Sequence, residues 1–294
     1  METKYLLLDV GGTEIKAGIA DENGRICMPL EKFSSRAKED KETILNHFAE
    51  IISKMSQKAE GGIGGVGMAF PGPFDYVHGF SLMQGLDKYD SIYKVSLEEA
   101  VKMRVPSVRN ASFLFLHDVE AFAVGTGTYG ACKNADKIFC LCIGTGAGSA
   151  FIKHHKAVKC GSDVPKNGWI YDTPFKDSVI DDYLSVRGLA ALSEKITGSA
   201  QNGRQLYEQC LLGDQKAMEV YHVFGEWLKE AVMPFIDAFN PDAVTFGGQI
   251  SGSFQFFGKS FEKVCRKRNI DIYLEKDTSV RTMQGLYVSI VQEG

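Results

Sequence analysis

Two stretches of the chain share the same pattern of apolar and polar residues. YLLLDVGGTEIKAGI, at residues 5–19, and KIFCLCIGTGAGSAFI, at residues 137–152, each carry an apolar run, a turn rich in glycine and threonine, and a second apolar run. This pattern predicts a β-hairpin whose glycines supply positive φ angles and let another group approach the backbone closely. One copy falls in each half of the chain, which favours two domains of similar design; two ordinary hairpins are the alternative.

The regions around these hairpins alternate between helical and strand periodicity. Apolar residues recur at helical spacing over residues 40–58 and 215–239, and the longer helix is stopped by Asn240-Pro241-Asp242 because proline cannot continue a helix. Ser96 and Glu99 have the spacing of a capping box, which predicts a helix that ends before Pro106. The pattern also predicts strands at residues 65–70 and 113–118 and a helix ending near residue 268. The expected fold class is α/β.

Length and composition narrow the class of protein. With 294 residues, 44% hydrophobic residues and no uninterrupted apolar run near the ~18 residues of a membrane span, the chain is expected to be a soluble protein of two domains. A net charge of −4 and the absence of a basic block argue against nucleic acid as a partner. Seven cysteines at irregular spacing and no secretory signal favour a reducing, cytoplasmic location.

Two common nucleotide motifs do not fit the glycines of this chain. Gly11, Gly12 and Gly18 lie between two strands, whereas a Rossmann fingerprint leads from a strand into a helix. The string GKS at residues 258–260 resembles the end of a P-loop, but the preceding glycine, Gly252, has the wrong spacing. Neither motif is therefore predicted.

Three glycine turns at strand ends are the remaining candidates for binding phosphate. They are Gly11-Gly12-Thr13 (the first turn), Gly144-Thr145-Gly146 (the second turn) and Gly247-Gly248 (the third turn). Consecutive backbone amides in a turn form a concavity that binds anions.

The order of motifs resembles the ROK family of sugar kinases and related repressors, within the hexokinase, Hsp70 and actin superfamily. The motifs are DVGGT at 9–13, Pro-Gly at 71–72, an aspartate at a strand end at 118, IGTGAG at 143–148 and NPDAVTFGG at 240–248. The resemblance implies two RNase-H-like domains with a central cleft. It places one domain at residues 1–117, joined by a helix at about 281–294, and the other at residues 118–280.

The resemblance also implies roles for individual residues. Asp9 would face Mg²⁺ through water, and the ATP phosphates would be bound by the first and second turns with Lys16, while the third turn would lie beside the adenosine and α-phosphate. Asp118 would be the general base that accepts the proton of the sugar hydroxyl. Without the resemblance, the ordinary interpretation of Asp118 is an N-cap, the commonest use of aspartate before a helix.

The sugar site departs from the family pattern. The usual Asn-Asp pair with a second Asn is replaced by His117, Asp118 and Glu120, and the family's glutamate-histidine sugar motif is not kept in the altered loop at residues 159–177. The family's cysteine zinc cluster has no counterpart, so no zinc site is predicted. His117 and Trp169 each have a structural alternative, as a packed histidine and a loop anchor. The sugar-binding residues implied by the resemblance are Gly72, His117, Asp118, Glu120, Trp169 and Asp181.

These inferences lead to one expected function and two alternatives. The chain is expected to be an ATP-dependent kinase that phosphorylates a hydroxyl of glucose, an N-acetylhexosamine, a β-glucoside or a similar hexose, with ATP and Mg²⁺ as cofactors and a homodimer as the assembly the family suggests. A catalytically degenerate sugar-binding protein is the main alternative. A transcription regulator is disfavoured, because only four residues precede Tyr5, too few for a helix-turn-helix.

Overall fold

The computed structural model describes residues 2–293. Met1 and Gly294, which fall in the predicted first domain and in the predicted C-terminal helix, lie outside the described residues. The chain forms two compact units: unit 1 comprises the described residues up to Tyr129 and those from Ser279 onward, and unit 2 comprises Gly130–Thr278. No helix among residues 2–293 is long and apolar enough to cross a membrane.

Unit 1 is built around a five-stranded sheet with the strand order β3-β2-β1-β4-β7. Strands β1, β2 and β3 are antiparallel neighbours, whereas β4 runs parallel to both β1 and β7, so the carboxyl ends of β1, β4 and β7 meet at one edge. Its elements are β1 (Thr3–Val10), β2 (Glu14–Ala20), β3 (Glu31–Ser34), α1 (Lys41–Lys58), β4 (Gly62–Phe70), β5 (Phe74–Asp75), β6 (Phe80–Ser81), α2 (Leu97–Arg104), β7 (Ser112–His117) and α3 (Asp118–Tyr129).

Unit 2 repeats this sheet with the order β10-β9-β8-β13-β14 and the same alternation of antiparallel and parallel neighbours. Its elements are β8 (Lys137–Ile143), β9 (Ala147–Lys153), β10 (Lys156–Val158), β11 (Pro174–Phe175), β12 (Ser178–Val179), α4 (Ile180–Tyr183), α5 (Val186–Thr197), α6 (Gly203–Leu211), α7 (Gln215–Phe239), β13 (Ala243–Gly247), α8 (Phe254–Phe257), α9 (Lys259–Lys267) and β14 (Asp271–Leu274); α10 (Thr278–Glu293) follows.

Helices α1, α2 and α7 begin where the sequence predicts them. Asp40 caps α1 by accepting a hydrogen bond from the amide of Thr43, and Ser96 caps α2 by accepting one from the amide of Glu99. The predicted apolar face of α1 is buried, and α7 has the predicted bounds. The C-terminal helix begins at Thr278, earlier than the predicted residue 281, which adds Ser279 to its first turn.

Helices α3 and α10 cross at two glycines in unit 1. A methyl group on Gly125 would lie 1.8 Å from the carbonyl oxygen of Arg281, and one on Gly285 would lie 1.8 Å from the carbonyl oxygen of Ala121. Any side chain at either glycine would therefore separate the helices. This packing places α3 in unit 1. The predicted domain boundary between residues 117 and 118 stays a prediction.

Candidate active site

The first turn connects β1 to β2, and all three of its carbonyl groups point back into unit 1. The Tyr89 hydroxyl donates to the carbonyl of Gly11 at 3.0 Å, the Ser35 hydroxyl donates to Gly12 at 2.7 Å, and the Ser35 amide donates to Thr13 at 3.0 Å. Among residues 2–293, no hydrogen bond uses the amide of Gly12 or Thr13. These two exposed residues therefore leave their N–H groups for an anion.

The second turn connects β8 to β9 and has the same arrangement. The carbonyl of Gly144 accepts from the amide of Val186 at 2.8 Å, that of Gly146 accepts from the amide of Gly144 at 3.0 Å, and that of Thr145 accepts from the Arg187 guanidinium at 3.4 Å. Within the described part of the chain, the amides of Thr145 and Gly146 make no hydrogen bond. Both turns are thus suited to bind phosphate oxygens.

The backbone angles of the turns correct one expectation. Of the six glycines in the three turns, only Gly248 has a positive φ, of 85°. The predicted need for positive φ is wrong for the first two turns, whereas the other predicted reason for glycine, close approach, is confirmed at Gly11 and Gly146. A methyl group on Gly11 would lie 2.9 Å from the carbonyl oxygen of Glu14, and one on Gly146 would lie 2.5 Å from Oδ1 of Asp181.

Asp9 lies at the end of β1, beside the first turn, in a network with α10. Ser279 donates a hydrogen bond to the Asp9 carboxylate, and the Lys16 ammonium donates to the Ser279 hydroxyl at 2.7 Å. Burial is the main cause that raises the pKa of Asp9, and the nearby negative charge of Asp118 raises it further. The structure therefore places Lys16 where it stabilises Asp9 through Ser279.

Asp118 is the first residue of α3, immediately after β7. Its Oδ1 accepts a hydrogen bond from the amide of Val119 at 2.8 Å and lies 3.1 Å from Nδ1 of His117. The side chain is 43% exposed, so its carboxylate is accessible to a substrate. Because β1 and β7 are parallel to the same strand, Asp118 and Asp9 lie at the same edge of the sheet, and their charges influence each other.

Tyr76 joins the predicted sugar-binding residues of unit 1. Its hydroxyl donates to the carbonyl of Phe70 at 3.0 Å, and its ring packs edge-on against His117 at 6.0 Å between centroids. A methyl group on Gly72 would lie 3.4 Å from the Tyr76 hydroxyl. Burial, with the charges of Asp118 and Glu120, raises the pKa of Tyr76, so its hydroxyl stays protonated. Gly72, His117, Asp118 and Glu120 thus share one neighbourhood with a hydroxyl donor.

Asp181 lies beside the second turn in unit 2. Its Oδ1 accepts a hydrogen bond from the amide of Ala147 at 2.7 Å, and its Oδ2 pairs with Arg187 at 2.7 Å. Arg187 also pairs with Asp182 at 3.3 Å. Both oxygens of Asp181 are therefore used to hold the second turn, while its predicted contact with sugar stays a prediction.

The third turn opens onto a cavity of about 530 Å³ within unit 2. Gly248 needs to be glycine, because a methyl group there would lie 2.4 Å from the carbonyl oxygen of Ile143. The Ser251 hydroxyl donates to the carbonyl of Gly248 at 2.6 Å and fixes the segment that follows. The cavity is lined mainly by the start of α6 and by the segment after the third turn: Asn202, Gly203, Tyr207, Gln249, Ile250 and Ser253.

Trp169 lies in the altered loop of unit 2. Its ring is partly buried and packs against Tyr171 at 5.9 Å between centroids. The preceding Gly168 is anchored to the sheet, since its carbonyl accepts a hydrogen bond from the Ser149 hydroxyl at 2.7 Å. The loop that carries Trp169 is thus fixed to β9.

The two carboxylates beside the first turn, those of Asp9 and Asp118, suit a Mg²⁺ ion that arrives with a nucleotide. The negative charge of Asp118 disfavours the ionised form of Asp9, and a divalent cation at this edge would relieve that repulsion. Carboxylate oxygens together with phosphate oxygens are the ligands that Mg²⁺ ordinarily uses. Among residues 2–293, no group of three or more His, Cys, Asp or Glu side chains is arranged to hold a metal; the absence of a zinc site stays a prediction.

Sequence reasoning missed the residues that hold the turns. Tyr89 is 78 positions from Gly11, Ser279 is 263 positions from Lys16, and Tyr76 lies in a loop without a motif. Arg187 had a usable local signal, because it lies two residues after Ser185, which caps α5, and a few residues after the acidic pair Asp181 and Asp182. The other contacts depend on tertiary structure and have no local pattern.

Three comparisons relate the chain to known proteins. A glucokinase from Thermotoga maritima is 25% identical over 287 residues, which cover 89% of this chain and 87% of that protein. An N-acetyl-D-glucosamine kinase from Haemophilus influenzae is 24% identical over 285 residues, which cover 88% of each. The structure of a ROK family glucokinase from Streptomyces griseus, in complex with glucose and AMPPNP, has a TM-score of 0.73 and 19% identity over 99% of this chain and 100% of that chain.

The last likeness confirms the predicted fold class, with two RNase-H-like α/β domains. The profile of the ROK family matches residues 5–282, which is nearly the whole chain. The chain therefore belongs to the ROK family.

Proposed function

We propose that the protein is an ATP-dependent kinase that transfers the γ-phosphoryl group to a hydroxyl of a hexose or modified hexose. The observation that carries this proposal is the placement of Asp118 and Asp9 at one sheet edge, beside a turn whose amides are left for phosphate. Membership of the ROK family supports the same reaction, since the glucokinase and the N-acetyl-D-glucosamine kinase that the chain resembles are both sugar kinases. A cytoplasmic location and a homodimer belong to this proposal.

Asp118 acts as the general base. Phosphoryl transfer requires mainly positioning and charge neutralisation, together with one carboxylate near the attacking oxygen. Asp118 is accessible and held by the amide of Val119, so its orientation is fixed before the substrate binds. That hydrogen bond goes to the adjacent amide, whereas a helix cap accepts from an amide two or three residues further on, so it orients the carboxylate without making Asp118 an N-cap.

The first and second turns bind the phosphates through the amides of Gly12, Thr13, Thr145 and Gly146. Asp9 would hold Mg²⁺ through water, and the ion would neutralise charge that develops on the transferred phosphoryl group. The cavity beside the third turn would take the adenosine. Its volume of about 530 Å³ suits a nucleoside, and it combines the Tyr207 ring with polar groups from Asn202 and Gln249.

The sugar would be bound by Gly72, His117, Asp118, Glu120 and Tyr76 in unit 1, with Trp169 and Asp181 as further candidates. The unit 1 set offers a carboxylate, an imidazole and the Tyr76 hydroxyl, whose proton is donated to Phe70 and whose oxygen can still accept a hydrogen bond from a sugar hydroxyl. Glucose, N-acetylhexosamines and β-glucosides are the substrate classes to compare.

A coupled assay of ADP release with Mg-ATP across these three classes of sugar tests the proposal. At least one sugar should give release well above the sugar-free rate, with a phosphorylated product of matching mass. If the protein binds AMPPNP and a sugar but releases no ADP with any of them, it is a degenerate sugar-binding protein instead. Binding of neither ligand would contradict both functions.

A further inference from the structure

The predicted role of Lys16 in binding phosphate stays a prediction, and its ammonium is shared with the Ser279 hydroxyl at 2.7 Å and with Glu14 at 3.9 Å. Through Ser279 it is linked to Asp9. The next lysine along the sheet, Lys32, pairs with Glu14 at 3.7 Å. Since the terminal phosphate of a nucleotide carries most of the charge to be neutralised, a further cation is expected over this turn.

Lys88 lies over the first turn. A methyl group on Gly12 would be 3.7 Å from Cδ of Lys88, which is ordinary van der Waals contact, so the stem of the side chain packs across the exposed residue of the turn. The ammonium is two bonds beyond Cδ. Among residues 2–293, Lys88 forms no ion pair within 4.0 Å, and the neighbouring Asp87 pairs with Lys38 instead.

The neighbours of Lys88 fix its position. Tyr89 is fully buried, and its hydroxyl donates to the carbonyl of Gly11, so the backbone at Lys88 is tied to the first turn itself. The two acidic residues of the same loop are engaged elsewhere. Asp87 pairs with Lys38, while Asp90 accepts hydrogen bonds from the amides of Leu86 and Asp87.

We propose that Lys88 binds the terminal phosphate of the nucleotide over Gly12, as a further substrate-binding residue of the transfer reaction. This inference rests on the proposed kinase function. A lysine acts on phosphate as a compact, mobile point charge, which suits a group whose position changes as the phosphoryl group is transferred. The amides of Gly12 and Thr13 would bind the same phosphate from the other side.

AMPPNP carries the terminal phosphate and ADP does not. Comparing the binding of the two nucleotides therefore distinguishes this role of Lys88 from a structural one. Lys88→Gln should weaken binding of AMPPNP by about 10-fold to 100-fold, the usual effect of removing one charged hydrogen bond, and leave ADP binding unchanged. Lys88→Arg should restore most of the AMPPNP affinity. Lys94→Gln is the matched control, because Lys94 is an exposed lysine of the same loop that lies over the Tyr93 ring; it should match the wild type.

Calorimetric titration of each variant with AMPPNP and with ADP decides the matter. Equal loss of affinity for both nucleotides in Lys88→Gln, or unchanged affinity for both, would overturn the assignment. Wild-type protein that binds neither nucleotide would contradict the kinase function itself, so the two failures are distinguishable. Melting temperatures within about 1 °C of the wild type establish that each variant is folded.

Discussion

The first and second turns occupy the same position in two sheets of the same strand order, yet different side chains hold them. In unit 1 the carbonyls are bound by the hydroxyls of Tyr89 and Ser35 and by a backbone amide. In unit 2 they are bound by Arg187 and by backbone amides, with Asp181 bound to the next amide.

The difference indicates which part of the proposed reaction each unit would serve. The turn that lies next to Asp9 and Asp118 is held by neutral hydroxyls. The groups that hold it therefore add no charge beside the two carboxylates. A charged pair holds the turn of unit 2, where the same sheet position has no such carboxylate pair and the adjacent cavity would take the nucleoside. In the proposed function, unit 1 would supply the general base and bind the terminal phosphate, and unit 2 would bind the nucleoside.

Removing Asp181 is expected to have the largest effect on nucleotide binding. Asp181→Ala takes the acceptor from the amide of Ala147 and the partner from Arg187, and the affinity for AMPPNP should fall by about 10-fold or more. Asp181→Asn keeps an oxygen for the amide and should lose less. Glu262→Gln, in an exposed helical ion pair with Arg266, is the control. Wild-type affinity in Asp181→Ala would refute the role of the charged pair.

The same substitution at the two turns should have unequal effects on stability. In Gly146→Ala the methyl group would meet Asp181 at 2.5 Å, whereas in Gly12→Ala it would meet only the flexible stem of Lys88 at 3.7 Å. Gly146→Ala should lower the free energy of unfolding by about 1–3 kcal/mol, and Gly12→Ala should change it by about 0.5 kcal/mol or less. Urea denaturation without nucleotide measures both. Equal losses would mean that the turns are equally crowded.

The two hydroxyls that hold the first turn in unit 1 should contribute less to the free energy of unfolding. Tyr89→Phe removes the hydroxyl that donates to Gly11 and leaves a carbonyl without its donor, at a cost of about 1 kcal/mol in the free energy of unfolding. Ser35→Ala should cost a similar amount through Gly12. The midpoint of urea denaturation checks each, and an unchanged midpoint in both variants would show that the hydroxyls do not hold the turn.

Asp118→Asn should have the smallest effect on stability, and its sign depends on pH. Burial, and after it the charge of Asp118, raises the pKa of Asp9 above its usual value of 3.8, so ionised Asp9 is less stable in the folded than in the unfolded chain at neutral pH. Asp118→Asn removes part of that penalty, and the Asn side-chain oxygen can still accept from the amide of Val119. The melting temperature at pH 7.5 should equal or slightly exceed that of the wild type, and any gain should shrink as the pH falls toward 4. A marked loss at pH 7.5 would indicate a mainly structural Asp118.

Local patterns predicted the elements, and tertiary contacts decided the details of the site. The spacing of apolar residues was sufficient for α1, α7 and the two hairpins, and Gly-Thr pairs were sufficient to locate the first two turns. The groups that approach their glycines were not visible, because Glu14 and Asp181 approach the turns in the folded chain. Tyr76, Tyr89 and Lys88 lie in loops whose sequence has no regular period, so only the structure brings them to the site.

The most direct test of the central claim, that Asp118 accepts the proton of the sugar hydroxyl, is the single-turnover rate of Asp118→Asn with saturating Mg-ATP and the best sugar. The account predicts a rate lower than wild type by about 10²-fold to 10⁴-fold, with AMPPNP affinity unchanged, because only the proton acceptor has been removed. A rate close to that of the wild type would contradict the claim and leave Glu120 as the next candidate for the base.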